Sequence, residues 1–229
     1  MLKAKYEYSG KKFEITPYNT EQEKELLLLE ALDSAEFDFA LNVLNVPKEI
    51  IESLSEDEKI SMLYKHRSIS VGEEIPIKYK CGSCSQPNEQ TLDITNIIHD
   101  SNIKNDKIID RFKKVTDENV HEFINCDIDD LDIDEYEKLV HEVKSSVTKF
   151  DFIKKSSCIK CGKINTFDIR NNVITYMSDD SLLSLYQTYN NLTFFGKYTK
   201  QDIDTLYPFE RSIIIGLLNK TREELNKWN

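Results

Sequence analysis

Apolar residues recur along the chain with two periods, and the places where the period changes mark its elements. Tyr6, Tyr8, Phe13 and Ile15 alternate with polar residues around Ser9-Gly10, which predicts two short strands within residues 1–18. The period then lengthens. Thr20-Glu-Gln-Glu23 reads as a capping box opening a helix through Leu32, with Leu26, Leu29 and Ala31 inward. A second helix over 36–45 turns Phe37, Leu41 and Leu44 inward and meets Pro47. Ser55-Glu-Asp-Glu58 is another capping box, and the helix behind it aligns Ile60, Leu63, Tyr64 and Arg67 before Val71-Gly72 breaks it.

Strand-like patterns return twice, and the two stretches match. Glu74–Lys80 leads into Cys81-Gly-Ser-Cys84, and Thr91-Leu-Asp-Ile94 follows. Phe150–Lys154 leads towards Cys158-Ile-Lys-Cys161-Gly162, and Thr166-Phe-Asp-Ile169 follows. Between them, 100–149 reads as an insertion: a strand or helix over Lys107–Val115, then a helix over Ile133–Val147 with Tyr136, Leu139, Val140 and Val143 on one face. The remainder is helical. Asp179 and Asp180 are expected to cap a helix carrying Leu182, Leu183, Leu185, Tyr186 and Tyr189; Asn190-Asn191 and Gly196 mark a turn. Thr199–Asp202 caps a short helix, and Tyr207-Pro208-Phe209 starts a last one with Ile214, Leu217, Leu218 and Leu225 inward.

The cysteines give this pattern its chemistry. A C-x2-C turn aims two sulfurs at one point, and a structural zinc takes four soft ligands in a tetrahedron, so Cys81, Cys84, Cys158 and Cys161 are the expected ligands of one zinc. The whole of 85–157 separates the pairs, where a single zinc finger uses roughly 15–20 residues; one shared metal therefore requires a folded insertion whose ends meet. A disulfide framework fits poorly, because 5 cysteines in 229 residues and a start of Met1-Leu-Lys-Ala-Lys suggest no secreted chain. A redox C-x2-C opens a helix, and strand-like flanks speak against that. Two separate metals, recruiting His99 or Cys126, stay open as an alternative; Cys126 otherwise reads as a small buried apolar residue.

Charge narrows the function. The net charge is −11, whereas a nucleic-acid-binding ribbon carries a basic face. Lys78, Lys80, Lys154, Lys155, Lys160 and Lys163 near the cysteines read first as solvated strand edges. No apolar run approaches the ~18–20 residues of a membrane helix. His66, His99, His121 and His141 are scattered, and Ser145 denies His141-Glu142 a zinc-protease motif. The 6 glycines form no phosphate loop. Asp127–Glu135 lacks the glycine and the final glutamate of a calcium loop. No enzyme constellation and no small-molecule substrate site survive.

The sequence thus predicts an α+β fold: a two-part four-cysteine zinc ribbon with an N-terminal strand-plus-helices region (1–73), a split ribbon with a helical insertion (74–178, insertion about 100–149) and a helical tail (179–229). In order, Asn19–Leu29, Ser70–Cys81, Glu135-Tyr-Glu-Lys-Leu139, Cys158–Gly162 and Leu206-Tyr-Pro-Phe-Glu-Arg211 resemble the baseplate hub assembly proteins of T-even-like contractile-tailed bacteriophages. Ser85 and Ser157 depart from that pattern without removing a ligand. The resemblance implies a chaperone or structural protein that binds other hub proteins in the host cytoplasm, with the virion tail baseplate as destination. Aromatics and arginine anchor interfaces, so Tyr207, Phe209 and Arg211, with Glu210 at the positive end of its helix, are the expected partner contact. A zinc-ribbon nucleic-acid-binding or transcription adaptor is the alternative.

Overall fold

The computed structural model describes residues 4–8, 11–32, 37–95, 97–99, 107, 117–128, 131–146 and 149–226. It is a mixed fold of helices and small two-stranded sheets. Strands β1 (Ala4–Tyr8) and β2 (Lys11–Ile15) pair antiparallel, and helices α1 (Thr20–Ala31), α2 (Phe37–Val43), α3 (Lys48–Ile51) and α4 (Glu56–Ser70) follow. Then come the hairpin β3 (Glu74–Lys80) with β4 (Pro87–Asp93), β5 (Ile98–His99), α5 (Ile133–Ser146), β6 (Lys149–Phe150) and the hairpin β7 (Ile153–Ser157) with β8 (Ile164–Asp168). Two 3-10 turns lead to α6 (Leu182–Phe194), α7 (Lys200–Thr205) and α8 (Pro208–Asn226). The expected turn at Ser9-Gly10, most of the element at Lys107–Val115, and Trp228 lie outside the described residues.

The main core is built where helices and hairpins meet. Ile60, Leu63, Tyr64 and Arg67 are buried on α4 as their spacing predicts, and Met62 and His66 are buried beside them. Leu26 and Leu29 of α1, Leu41, Leu44, Ile75, Ile77 and Leu92, and Ile169, Val173 and Met177 close the same cluster. Ala31 is exposed rather than inward, because α1 buries only the face set by Leu26, Leu27 and Leu29. The helix at 36–45 ends at Val43; Asn45 takes a positive φ of 59° and the chain restarts after Pro47. The insertion has its own small cluster: Val120, Phe123 and Ile124 against Leu139 and Val143 of α5. Its ends come together, since Ile98 pairs with Phe150 and His99 with Lys149.

Two expected caps move. Asn19, not Thr20, caps α1: its side chain accepts from the Gln22 N–H, and Gln22 accepts back from Asn19 at 3.0 Å. Ser181, not Asp179 or Asp180, caps α6 by accepting from Ser184. Both shifts have one cause. The displaced residues serve long-range partners: Thr20 and Glu23 receive Arg211, Asp179 pairs with Arg67 and Asp180 with Arg211. The box at Ser55/Glu58 and that at Thr199/Asp202 form where expected. On α8, Ile214 and Leu218 are half-buried but Leu217 is 61% exposed, because α6 covers only one stripe of that helix.

Candidate metal centre

Each cysteine pair sits in the turn of a hairpin, and the two turns are built alike. The Cys81 N–H donates to the Gln86 carbonyl and the Ser85 N–H to that of Cys81, at 3.0 and 2.9 Å. In the second hairpin Cys158 donates to Lys163 and Gly162 to Cys158, at 2.8 and 2.9 Å. The residue after the second cysteine is left-handed in both: Ser85 at φ 56° and Gly162 at φ 71°. Strand β4 lies beside β7, so the two turns converge.

Convergence brings all four sulfurs within 4.8 Å of one another. Cys81 Sγ is 3.7 Å from Cys161 Sγ, and Cys84 Sγ is 3.7 Å from Cys158 Sγ. A tetrahedron with metal–sulfur bonds of ~2.3 Å has edges of ~3.8 Å. The spacing therefore fits one metal ion at the centre and is far beyond the ~2.05 Å of a disulfide. Four sulfurs fill a tetrahedron and leave no position for a water or substrate. Cys126 is not part of the group; it packs at the edge of the insertion's cluster.

The thiols are electrostatically unequal. Cys81 is lowered to about 6, chiefly because the Cys84 N–H, and then that of Ser83, points at its sulfur. Cys158 is lowered too, first by the Cys161 N–H. On Cys161 the Lys163 N–H pulls downward, yet the neighbouring sulfurs, Cys84 foremost, push the thiol up to about 11. The turns favour thiolates, while their mutual approach resists full ionisation. A cation held at the centre would resolve that conflict.

Two asparagines escape the reading by cysteine spacing alone. Asn88, buried, accepts from the Ile159 N–H at 3.0 Å and donates to the Gln86 carbonyl at 2.7 Å. Asn165 accepts from the Gly82 N–H at 3.3 Å and donates to the Lys163 carbonyl at 3.1 Å. Each clamps the residue after the first cysteine of the opposite hairpin. The signal was present as C-x2-C-x3-N in both stretches. Orientation of ligands by such outer partners is a general feature of metal sites.

The other expected site residues lie apart, at the start of α8. Tyr207 and Phe209 are half-buried and their rings stack 5.6 Å apart. Glu210 accepts from the Tyr207 N–H at 3.1 Å. Arg211 is buried and turned inward, at 2.5 Å from Glu23 and 2.9 Å from Asp180. Apolar side chains are exposed on both C-terminal helices: Leu183, Tyr186 and Phe194 of α6, which bears no charged residue, and Ile213 and Leu217 of α8.

Residues 1–113, just under half of the chain, match the model of a family described as T4 bacteriophage base plate protein. No curated protein and no solved structure matches the chain. Among the described residues no helix is long and apolar enough to cross a membrane.

Proposed function

We propose, from the premise that over residues 1–113 the chain belongs to the T4-like bacteriophage baseplate family, that this is a non-enzymatic baseplate hub assembly protein, a chaperone or structural component that works by binding other hub proteins. One structural zinc held by Cys81, Cys84, Cys158 and Cys161 fixes its two hairpins together. The observation that carries this reading is the closed four-sulfur cluster in a chain of that family: the cluster can hold a metal ion but offers it no free position for chemistry. Zinc is the metal that thiolate tetrahedra favour in structural sites. The protein acts in the host cytoplasm during assembly and is bound for the tail baseplate.

The three-part division at about residues 73 and 178 gives the parts separate work. The family match covers the first part and runs into the second as far as residue 113; the second part holds the metal and the third the partner surface. Tyr207, Phe209 and Glu210 meet a hub protein, and Arg211 holds the start of α8 in place from inside. Exposed Leu183, Tyr186 and Phe194 of α6 and Ile213 and Leu217 of α8 support a contact in this region.

The test is co-expression of the zinc-loaded chain with the other hub proteins of the same phage, followed by affinity capture of wild type and of a Tyr207→Ala, Phe209→Ala double variant. Losing an aromatic anchor costs roughly thirtyfold in affinity. A folded, zinc-loaded variant that captures its partner undiminished puts the interface elsewhere. A wild type that captures none of them removes the hub assignment.

A further inference from the structure

Two exposed surfaces of this chain are complementary in charge and alike in their apolar content. The first is the outer face of the second hairpin. Ile153, Lys155 and Ser157 alternate onto one side of β7, Ile164 stands opposite Ser157 on β8, and Ile159, Lys160 and Lys163 crown the turn. Ile159 is 73% exposed and Ile164 62%. From Ile153 to Ile164 the chain has four lysines and no acid, against a net charge of −11 for the whole. The second surface is the entry to α5, where Asp132, Asp134, Glu135 and Glu137 are exposed around Ile133, itself 78% exposed. From Asp127 to Glu137 there is no basic residue.

Within one molecule these surfaces do not satisfy each other. Among the described residues no salt bridge joins Lys155, Lys160 or Lys163 to a carboxylate, or Asp134, Glu135 or Glu137 to a cation. The hairpin face suits a protein better than a nucleic acid. It offers aliphatic isoleucines, without the arginine or exposed aromatic ring on which a base stacks.

We propose that a second copy of this chain docks on the hairpin face, presenting the acidic entry to its own α5. Ile133 seats against Ile159 and Ile164 at the turn end of the hairpin, and Asp134 and Glu135 meet Lys160 and Lys163. The contact is head-to-tail, so copies close into a ring where the rotation permits and otherwise extend. It uses different residues from the partner surface on α6 and α8.

Sedimentation of the zinc-loaded full chain over a range of concentrations, at low and high salt, tests this. Wild type is expected to associate with rising concentration, and salt to weaken that association by screening. Lys160→Glu with Lys163→Glu, or Asp134→Lys with Glu135→Lys, each brings like charges together and is expected to weaken association by ~tenfold or more. Mixing the two variants restores it, since each supplies the surface the other lost. Zinc content and melting temperature report that the variants are folded, and hub-protein capture, measured separately, is expected to persist. A wild type that stays monomeric throughout, a pair of variants that associates undiminished, or a mixture that stays apart overturns the proposal. So does DNA retention by wild type that the lysine variant loses, which assigns the lysines to phosphate.

Discussion

Asn88 and Asn165 occupy the same position in the two hairpins, four residues beyond the second cysteine, and each accepts a backbone N–H from the other hairpin: Ile159 for Asn88, Gly82 for Asn165. The four sulfurs are thus held by a reciprocal clamp that is independent of any metal. Asn88→Ala leaves the Ile159 N–H without its protein partner in a part-buried setting, at a cost of about 1 kcal/mol. Loss of an outer-shell partner also costs roughly 10–100-fold in metal affinity. Asn165→Ala, at a more exposed site with a longer bond, costs less. Chelator competition and thermal melting measure both; equal or negligible effects contradict the clamp.

The left-handed residues after Cys84 and Cys161 make a second, purely conformational prediction. A non-glycine residue pays roughly 1–2 kcal/mol there. Ser85→Gly is therefore expected to stabilise by up to ~1 kcal/mol. Gly162→Ala is expected to destabilise by ~1 kcal/mol or more, although nothing within 4 Å would touch the new methyl. Urea unfolding of the zinc-loaded forms gives the signs. The same sign for both substitutions refutes the turn geometry.

Arg211 ties the two ends of the chain through Glu23, Thr20 and Asp180. Arg211→Met strands two carboxylates and is expected to cost about 3–5 kcal/mol. Replacing Glu23 by Leu as well removes the buried partner, so the double variant loses less than the sum of the singles. A single variant within experimental error of wild type excludes this role.

Acid stability follows from His66. Burial lowers it to about 4, against an ordinary value of 6.5, and its Nδ1 lies 3.2 Å from the Thr16 carbonyl oxygen. The unfolded chain binds that proton first. The stability contributed by a neutral His66 is therefore full above pH ~6.5 and is lost as pH falls towards 4. His66→Leu should flatten the stability curve between pH 6.5 and 4 only. A curve unchanged in that window rules out His66 as the acid-sensitive group.

What the sequence made legible was local. Hairpins, helices and the four cysteines follow from period and spacing, and Ser55/Glu58 and Thr199/Asp202 cap as written. In Asn19-Thr-Glu-Gln-Glu23 two overlapping capping boxes compete, and nothing local decides between them. The choice falls to Asn19 because Thr20 and Glu23 are engaged by Arg211 and the Leu206 carbonyl, nearly two hundred residues away. Arg211, expected to face a partner, is instead the buried hub of that network. Asp179 and Asp180 were lost as caps for the same reason. Pairings at this range leave no trace in periodicity.

The most direct measurement is the metal content of freshly purified, reduced protein, with Cys158→Ser alongside. One zinc per chain in the wild type, and none with an unfolded ribbon in the variant, is the result the proposed zinc site at the four sulfurs predicts. No zinc on four free thiols, or two zincs per chain, contradicts it.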